Sequence, residues 1–253
     1  MGVDVHHVVS GRRDGPVVVL SGSLGSALEM WEATVPALEE HFRVVRYDTR
    51  GHGRSPVVPG ACTLDDLADD LVGLLDRLGV PKAHLVGLSL GGMTALRVAA
   101  RDPERVDRLA VLCTSACLGP ASTWTDRAAL VRAEGTRAVA KSVVQRWFTP
   151  AYRDRAPWEA MVAATPAEGY ASCCEAIAGM DQREGLREVT APTLAIAGAD
   201  DPATPPDHLR EIATSVRDGQ LLVVPGAAHL ANAEQPGAVT AALVGHLTEE
   251  NRS

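Results

Sequence analysis

Within the 253-residue chain, the run His84-Leu85-Val86-Gly87-Leu88-Ser89-Leu90-Gly91-Gly92-Met93 contains Gly-x-Ser-x-Gly. The pattern serves nucleophilic catalysis when a strand precedes it and a helix follows, because the serine then sits in a strained turn that throws its hydroxyl clear of the sheet. Gly87 and Gly91 supply the small neighbours that let strand and helix approach. A helix starting after Ser89 also points its positive end at the hydroxyl, which places the N–H of Leu90 to donate to an oxyanion. A chance match in a glycine-containing turn is the bland alternative, and the strand-to-helix context argues against it.

A serine hydroxyl needs a base to take its proton. Of the eight histidines, His6 and His7 belong to an N-terminal strand region, His41 precedes a strand, His84 begins one, His208 follows a proline turn and His246 lies in the last helix. His52 and His229 stand in glycine-containing loops at the carboxyl ends of strands, where sites on α/β sheets are built. His229 follows the last strand, in Val223-Val224-Pro225-Gly226-Ala227-Ala228-His229, and is the expected base. Asp48 to Ser55, which holds His52, reads as a structural turn. The acid that orients His229 is sought after the preceding strand, in Gly198-Ala199-Asp200-Asp201-Pro202-Ala203-Thr204-Pro205. Asp201 is preferred because the proline behind it keeps it in a turn, and Asp200 is expected to cap that turn or face solvent. A second oxyanion donor is expected in Ser21-Gly22-Ser23-Leu24-Gly25, the N–H of Ser23 first and that of Leu24 second.

These residues need a scaffold, and the apolar pattern supplies one. Val17 to Leu20, Phe42 to Tyr47, His84 to Gly87, Val106 to Cys113, Thr193 to Ala197 and Leu221 to Val224 read as buried strands. Helical stripes stand among them: Leu28, Trp31, Val35 and Leu38; then Leu64, Leu67, Leu71, Leu74, Leu75 and Leu78; then Gly91 to Ala100; and Val239 to Leu247 at the end. The alternation predicts an α/β fold, a mostly parallel central sheet flanked by helices on both faces. Residues 118–181 break it with helical segments and no convincing strand, so they are expected to form a helical lid inserted into a core of residues 1–117 and 182–253.

Bulk properties narrow the partners. A formal net charge of −8 speaks against nucleic acid and anionic membranes, which require a clustered basic face. Any anionic substrate must then be held by local arginines. The five cysteines follow neither a zinc-ligand nor a Cys-x-x-Cys spacing and read as buried free thiols. No metal motif of the His-Glu-x-x-His kind occurs, so no metal and no cofactor is expected. The start lacks a secretory signal pattern and no apolar run spans a bilayer, so a cytoplasmic protein is expected.

Several runs together resemble bacterial 3-oxoadipate enol-lactonases of the α/β-hydrolase superfamily: Tyr47-Asp48-Thr49-Arg50-Gly51-His52-Gly53-Arg54-Ser55, Gly87-Leu88-Ser89-Leu90-Gly91-Gly92-Met93, Cys113-Thr114-Ser115-Ala116, Cys173-Cys174-Glu175-Ala176-Ile177 and Ala228-His229-Leu230-Ala231-Asn232. The Cys-Cys-Glu-Ala-Ile run is informative, and so is Ser21-Gly22, where most relatives carry His-Gly. The resemblance covers nearly the whole chain. It implies an α/β-hydrolase fold, a Ser89, Asp201 and His229 triad, and opening of a small anionic lactone to 3-oxoadipate through an acyl-enzyme. The substrate's carboxylate needs a donor: Arg127, Arg132 and Arg146 in the lid are candidates, with Trp124 and Trp147 as apolar walls and Leu24 as a further contact. Alternatives are a broader carboxylesterase, a perhydrolase or haloperoxidase-like hydrolase, or a non-catalytic ligand-binding protein on the same fold. Related lactonases are sometimes fused to the carboxymuconolactone decarboxylase acting before them, so such a fusion or functional partner is also an expectation, and the polar end Glu249-Glu250-Asn251-Arg252-Ser253 reads as either a natural or a trimmed terminus. Oligomeric state has no sequence signal.

Overall fold

The short β-branched runs form the centre of a seven-stranded sheet in the computed structural model, which describes residues 2–249. Glu250, Asn251, Arg252 and Ser253 of the polar end lie outside the described residues. The strands are β1 (His7–Gly11), β2 (Val17–Ser21), β3 (Arg43–Tyr47), β4 (Ala83–Leu88), β5 (Val106–Leu112), β6 (Thr193–Gly198) and β7 (Gly219–Val224), in the spatial order β1-β3-β2-β4-β5-β6-β7. Only β1 is antiparallel, pairing His7 with Tyr47 and Gly11 with Arg43. The rest are parallel.

The two-residue period of a strand divides its side chains between two cores. Val18, Leu20, Val86, Leu88, Ala110 and Leu112 pack on one face with α1 (Val35–Glu39) and α10 (Pro236–Thr248). Val19, Leu85, Leu109 and Val111 pack on the other with α2 (Leu64–Arg77), α3 (Leu90–Arg101) and α8 (Pro206–Ser215). Helix α2 shows how local sequence sets such an element: Thr63 and Asp66 cap each other's backbone amides, and Leu67, Leu71, Leu74 and Leu75 form its buried stripe.

Two helical expectations differ from the structure. The stripe Leu28, Trp31, Val35 and Leu38 is buried as expected, but it is carried by a 3-10 turn (Leu28–Trp31) and the separate α1. Pro36 sits in the first turn of α1, where its missing N–H costs nothing, whereas within one continuous helix it would remove an internal hydrogen bond. Helix α8 was not anticipated, because Asp-Asp-Pro-Ala-Thr-Pro-Pro reads as loop; Pro206 opens it in the same permitted position.

Between β5 and β6 the chain forms α4 (Ala121–Glu134), α5 (Arg137–Trp147), α6 (Ala156–Ala164) and α7 (Ala167–Ala178), lying against the carboxyl ends of the strands. Gly169 of α7 backs directly onto Gly51, so close that a Cβ on Gly51 would stand 2.3 Å from the Gly169 Cα. A short α9 (Ala231–Glu234) precedes α10. Among the described residues no helix is long and apolar enough to cross a membrane.

The order also locates the site. After β2 the chain moves outward to β3 and then returns to the other side of β2 with β4. A crevice opens at such a reversal, outside the carboxyl ends of the two central strands. Ser21 at the end of β2 pairs with Gly87 at the end of β4, so the loops carrying Ser23 and Ser89 leave the sheet side by side.

Candidate active site

Ser89 adopts φ 55° and ψ −116°, a backbone conformation that a non-glycine residue rarely takes. Its surroundings enforce it. The Ser89 N–H donates to the Leu112 carbonyl at 2.9 Å, and the Thr114 hydroxyl donates to the Ser89 carbonyl at 2.7 Å. The flanking glycines are obligatory: a Cβ on Gly87 would lie 2.2 Å from the Gly91 carbonyl oxygen, and one on Gly91 would lie 2.2 Å from that of Ser21. Strand β4 and helix α3 thus meet with no room for a methyl group, and strain of about 1–3 kcal/mol is held at the serine. Leu90 is the first residue of α3, where an amide has no acceptor within the helix, and its side chain is buried in the core.

Asp201 and His229 are brought together across the ends of β6 and β7. His229 Nδ1 lies 2.8 Å from Asp201 Oδ2, with the His229 and Asp201 side chains 6% and 0% exposed. A carboxylate there can only accept, so Nδ1 donates and Nε2 remains as an acceptor. The same carboxylate accepts from the N–H groups of Ala203 and Thr204 at 2.8 and 3.1 Å, and from the Thr204 hydroxyl at 2.7 Å. Burial works against its ionisation, but the adjacent His229 and these donors outweigh burial and hold its pKa below the usual carboxylate range. Asp200, its competitor in the sequence, is exposed.

Ser89 and His229 line one cavity of about 190 Å³, whose walls also include Ser23, Leu24, Trp124, Arg127, Arg146 and Trp147. The expected core and lid residues therefore meet around a single space. Ser23 carries a complication: its N–H donates to the Met30 sulfur at 3.3 Å. A thioether is a weak acceptor, so this amide is lightly held.

The three candidate arginines separate. Arg132 is an exposed surface residue that pairs with Glu168 at 2.8 Å and also with Glu175, so it is removed from the set of carboxylate donors. Its charge is already neutralised, and it does not line the cavity. Arg127 and Arg146 do line it, and neither has a carboxylate within ion-pair distance among the described residues. The Arg127 guanidinium lies over the Trp124 ring, 4.6 Å from its centroid. Arg146 is exposed along part of its length, yet partial desolvation of its guanidinium, and then the like charge of Arg127, hold it below the usual guanidinium range.

Tyr170 was not singled out by the sequence. It is fully buried and lines the cavity, where its hydroxyl lies close to the Arg127 guanidinium without a well-formed hydrogen bond. Burial pushes its pKa up, against the opposing charges of Arg127 and Arg146, so it remains an O–H donor. Glu234 was missed as well. Its carboxylate accepts from the Ala228 N–H at 2.8 Å, and from the N–H and hydroxyl of Thr149 at 2.9 and 2.6 Å, which ties the His229 loop to the helical insertion. The five cysteines are free thiols; Cys117 is half-buried and the others are buried.

A family profile described as the α/β-hydrolase fold matches residues 15–146. The chain is 38% identical over 250 residues to 3-oxoadipate enol-lactonase 2 of Acinetobacter baylyi, covering 93% of this chain and 90% of that protein. It superposes on the crystal structure of the enol-lactonase from Burkholderia xenovorans with a TM-score of 0.94 and 40% identity, over 97% of this chain and 96% of that one. A hydrolase from Pseudomonas aeruginosa superposes with a TM-score of 0.93 and 41% identity, over 97% and 94% of the two chains.

Proposed function

From the premise that the chain belongs to the α/β-hydrolase family, and within it to the 3-oxoadipate enol-lactonases, we propose that it is a serine hydrolase opening 3-oxoadipate enol-lactone to 3-oxoadipate. The observation that carries the reading is one cavity with two unlike walls: Ser89 and His229 on one side, and two arginines without carboxylate partners on the other. In a chain of net charge −8, two arginines lining the same small space favour an anionic occupant.

In this reading Ser89 Oγ attacks the lactone carbonyl while His229 Nε2 takes its proton, and Asp201 stabilises the imidazolium that forms. The N–H groups of Leu90 and Ser23 hold the oxyanion, the latter giving up its sulfur contact for a stronger acceptor. The ring C–O bond breaks and the departing enolate oxygen takes the proton held by His229, which leaves a neutral enol tethered to the acyl group and returns the imidazole to its basic form. An enolate is a better leaving group than an alkoxide, so His229 has less acid catalysis to supply. Tautomerisation of the enol to the ketone removes the internal nucleophile that would reclose the ring. Water, activated by His229, then releases the acyl group from Ser89. Arg127, Arg146 and the Tyr170 hydroxyl hold the substrate's side-chain carboxylate, with Leu24, Trp124 and Trp147 closing around the apolar part. Residues 118–181 act as the lid over a core of 1–117 and 182–253. The lactone is supplied by a decarboxylase, with both enzymes in the cytoplasm.

The test is a product assay. Incubated with the enol-lactone, the protein should release 3-oxoadipate at a kcat/KM well above that for short p-nitrophenyl esters; faster turnover of the esters would move the assignment to a general carboxylesterase.

A further inference from the structure

The Arg-Gly-His-Gly turn, which the sequence presents as structural, reaches the reaction centre through one hydrogen bond. His52 is fully buried, and both ring nitrogens are committed. Nδ1 lies 3.1 Å from the Arg50 carbonyl, which can only accept, so Nδ1 carries the proton. Nε2 is then a lone-pair acceptor, and the Gly25 N–H donates to it at 3.0 Å. Gly25 ends the segment Ser23-Leu24-Gly25, whose first two residues line the cavity beside Ser89. A bond from the Ser26 N–H to the Ser23 carbonyl at 3.1 Å closes this segment into a turn, with Gly25 at φ 82°. The Ser23 N–H is held only by the Met30 sulfur; the Gly22 carbonyl of the same peptide group accepts from the Gly91 N–H at 2.9 Å and fixes the near end of the turn, and the His52 ring anchors its other end at Gly25.

Groups packed around the imidazole act together with it. Asp48, on the same turn, accepts from the Leu28 N–H at 2.8 Å and so holds the far end of the loop. The Tyr170 ring of α7 stacks beside His52, with centroids 6.5 Å apart at 27°. A Cβ on Gly25 would stand 2.9 Å from that tyrosine ring, which leaves the turn no room to move away from His52.

We propose that His52 is a positioning residue for the oxyanion hole: as a neutral imidazole it fixes the Ser23–Gly25 turn so that the Ser23 amide faces the oxygen that becomes negative when Ser89 attacks. The role concerns the transition state more than ground-state binding, because the ring supports the turn from behind and does not itself line the cavity. Burial, opposed by the Arg50 carbonyl and the charge of Asp48, holds the pKa of His52 below the ordinary 6.5, in keeping with a ring used as an acceptor.

The inference rests on the reading of Ser89 as nucleophile, so the experiment separates the two. Four variants, Ser89→Ala, His52→Leu, His52→Asn and His52→Gln, are assayed with p-nitrophenyl acetate and for inhibition by phenylboronic acid, which forms a tetrahedral adduct on an active serine. A glutamine places its Oε1 near the position of Nε2, whereas asparagine is too short and leucine has no acceptor. His52→Leu and His52→Asn should lose about 10–100-fold in kcat with KM changed less than about threefold, and boronate affinity should fall in parallel. His52→Gln should recover to within about fivefold of the native kcat. If His52→Leu does not fold, the asparagine and glutamine pair decides by the same comparison. Native kcat in the leucine or asparagine variant, or equal losses in glutamine and asparagine, would overturn the positioning role while an inactive Ser89→Ala left the hydrolase reading intact. An active Ser89→Ala would overturn both.

Discussion

On the sheet side of the cavity, Asp201 and His229 are buried, 2.8 Å apart, and every acceptor position on the carboxylate is used. On the helical side, Arg127 and Arg146 carry full charges that no carboxylate of the described residues answers. In the proposed reading the first wall is complete in itself, because a buried Asp201–His229 pair beside Ser89 would perform the same proton transfers on any ester that reaches it. The second wall is incomplete until an anion arrives. On the same reading chemistry belongs to the sheet and selectivity to the helices, and the two should be separable by mutation.

The largest effects should fall on the sheet wall and strike every substrate alike. Ser89→Ala should reduce kcat about 10⁴–10⁶-fold, and Asp201→Asn about 10⁴-fold, because the amide stabilises the wrong imidazole tautomer and cannot balance the imidazolium. Asp200→Asn, one residue away but exposed, should stay within about twofold of native on p-nitrophenyl acetate and on the enol-lactone. A large loss at Asp200 would mean that the acid has been misassigned.

The helical wall should show smaller and substrate-dependent effects. A charge-assisted hydrogen bond to a carboxylate contributes about 1.5–3 kcal/mol, so Arg127→Ala or Arg146→Ala should lower kcat/KM for the anionic lactone about 10–100-fold, mostly through KM. The neutral ester should change by less than about threefold. Equal losses on both substrates would erase the division of labour between the walls.

How far each wall was legible in the sequence follows the same division. Ser89 was readable because the elbow is local: Gly87, Gly91, a strand before and a helix after are all within a dozen residues. Asp201 and His229 followed from the order of the strands, which is a topological property that a single chain displays. The arginines were readable only as a set, since nothing near Arg132 in the chain announces Glu168 and Glu175, residues 36 and 43 positions away that neutralise it. Tyr170, Glu234 and the contact from His52 to Gly25 were not legible, because each depends on which loops and helices pack together and not on spacing along the chain. The split of the Leu28 to Leu38 stripe escaped for a smaller reason: apolar periodicity records which side chains are buried, and Pro36 decided how the backbone delivers them.

Arg132 provides the smallest predicted effect and the sharpest control on the comparison. It lies in α4 with Arg127, about 1.4 turns further along, and it carries the same charge. Were the helical wall selective merely because the insertion is rich in arginine, removing any one of the three would weaken lactone binding by a similar factor. The structure gives Arg132 two carboxylate partners at the surface, where the lost Coulomb energy is replaced largely by water, so the pairs contribute at most about 1 kcal/mol. Arg132→Ala should therefore leave kcat and KM for the lactone within about twofold of native and lower the stability measured by urea unfolding by less than about 1 kcal/mol. A KM increase for the lactone comparable with that of Arg127→Ala, at unchanged stability, would show that selectivity comes from diffuse positive potential over the insertion and not from the two arginines that line the cavity.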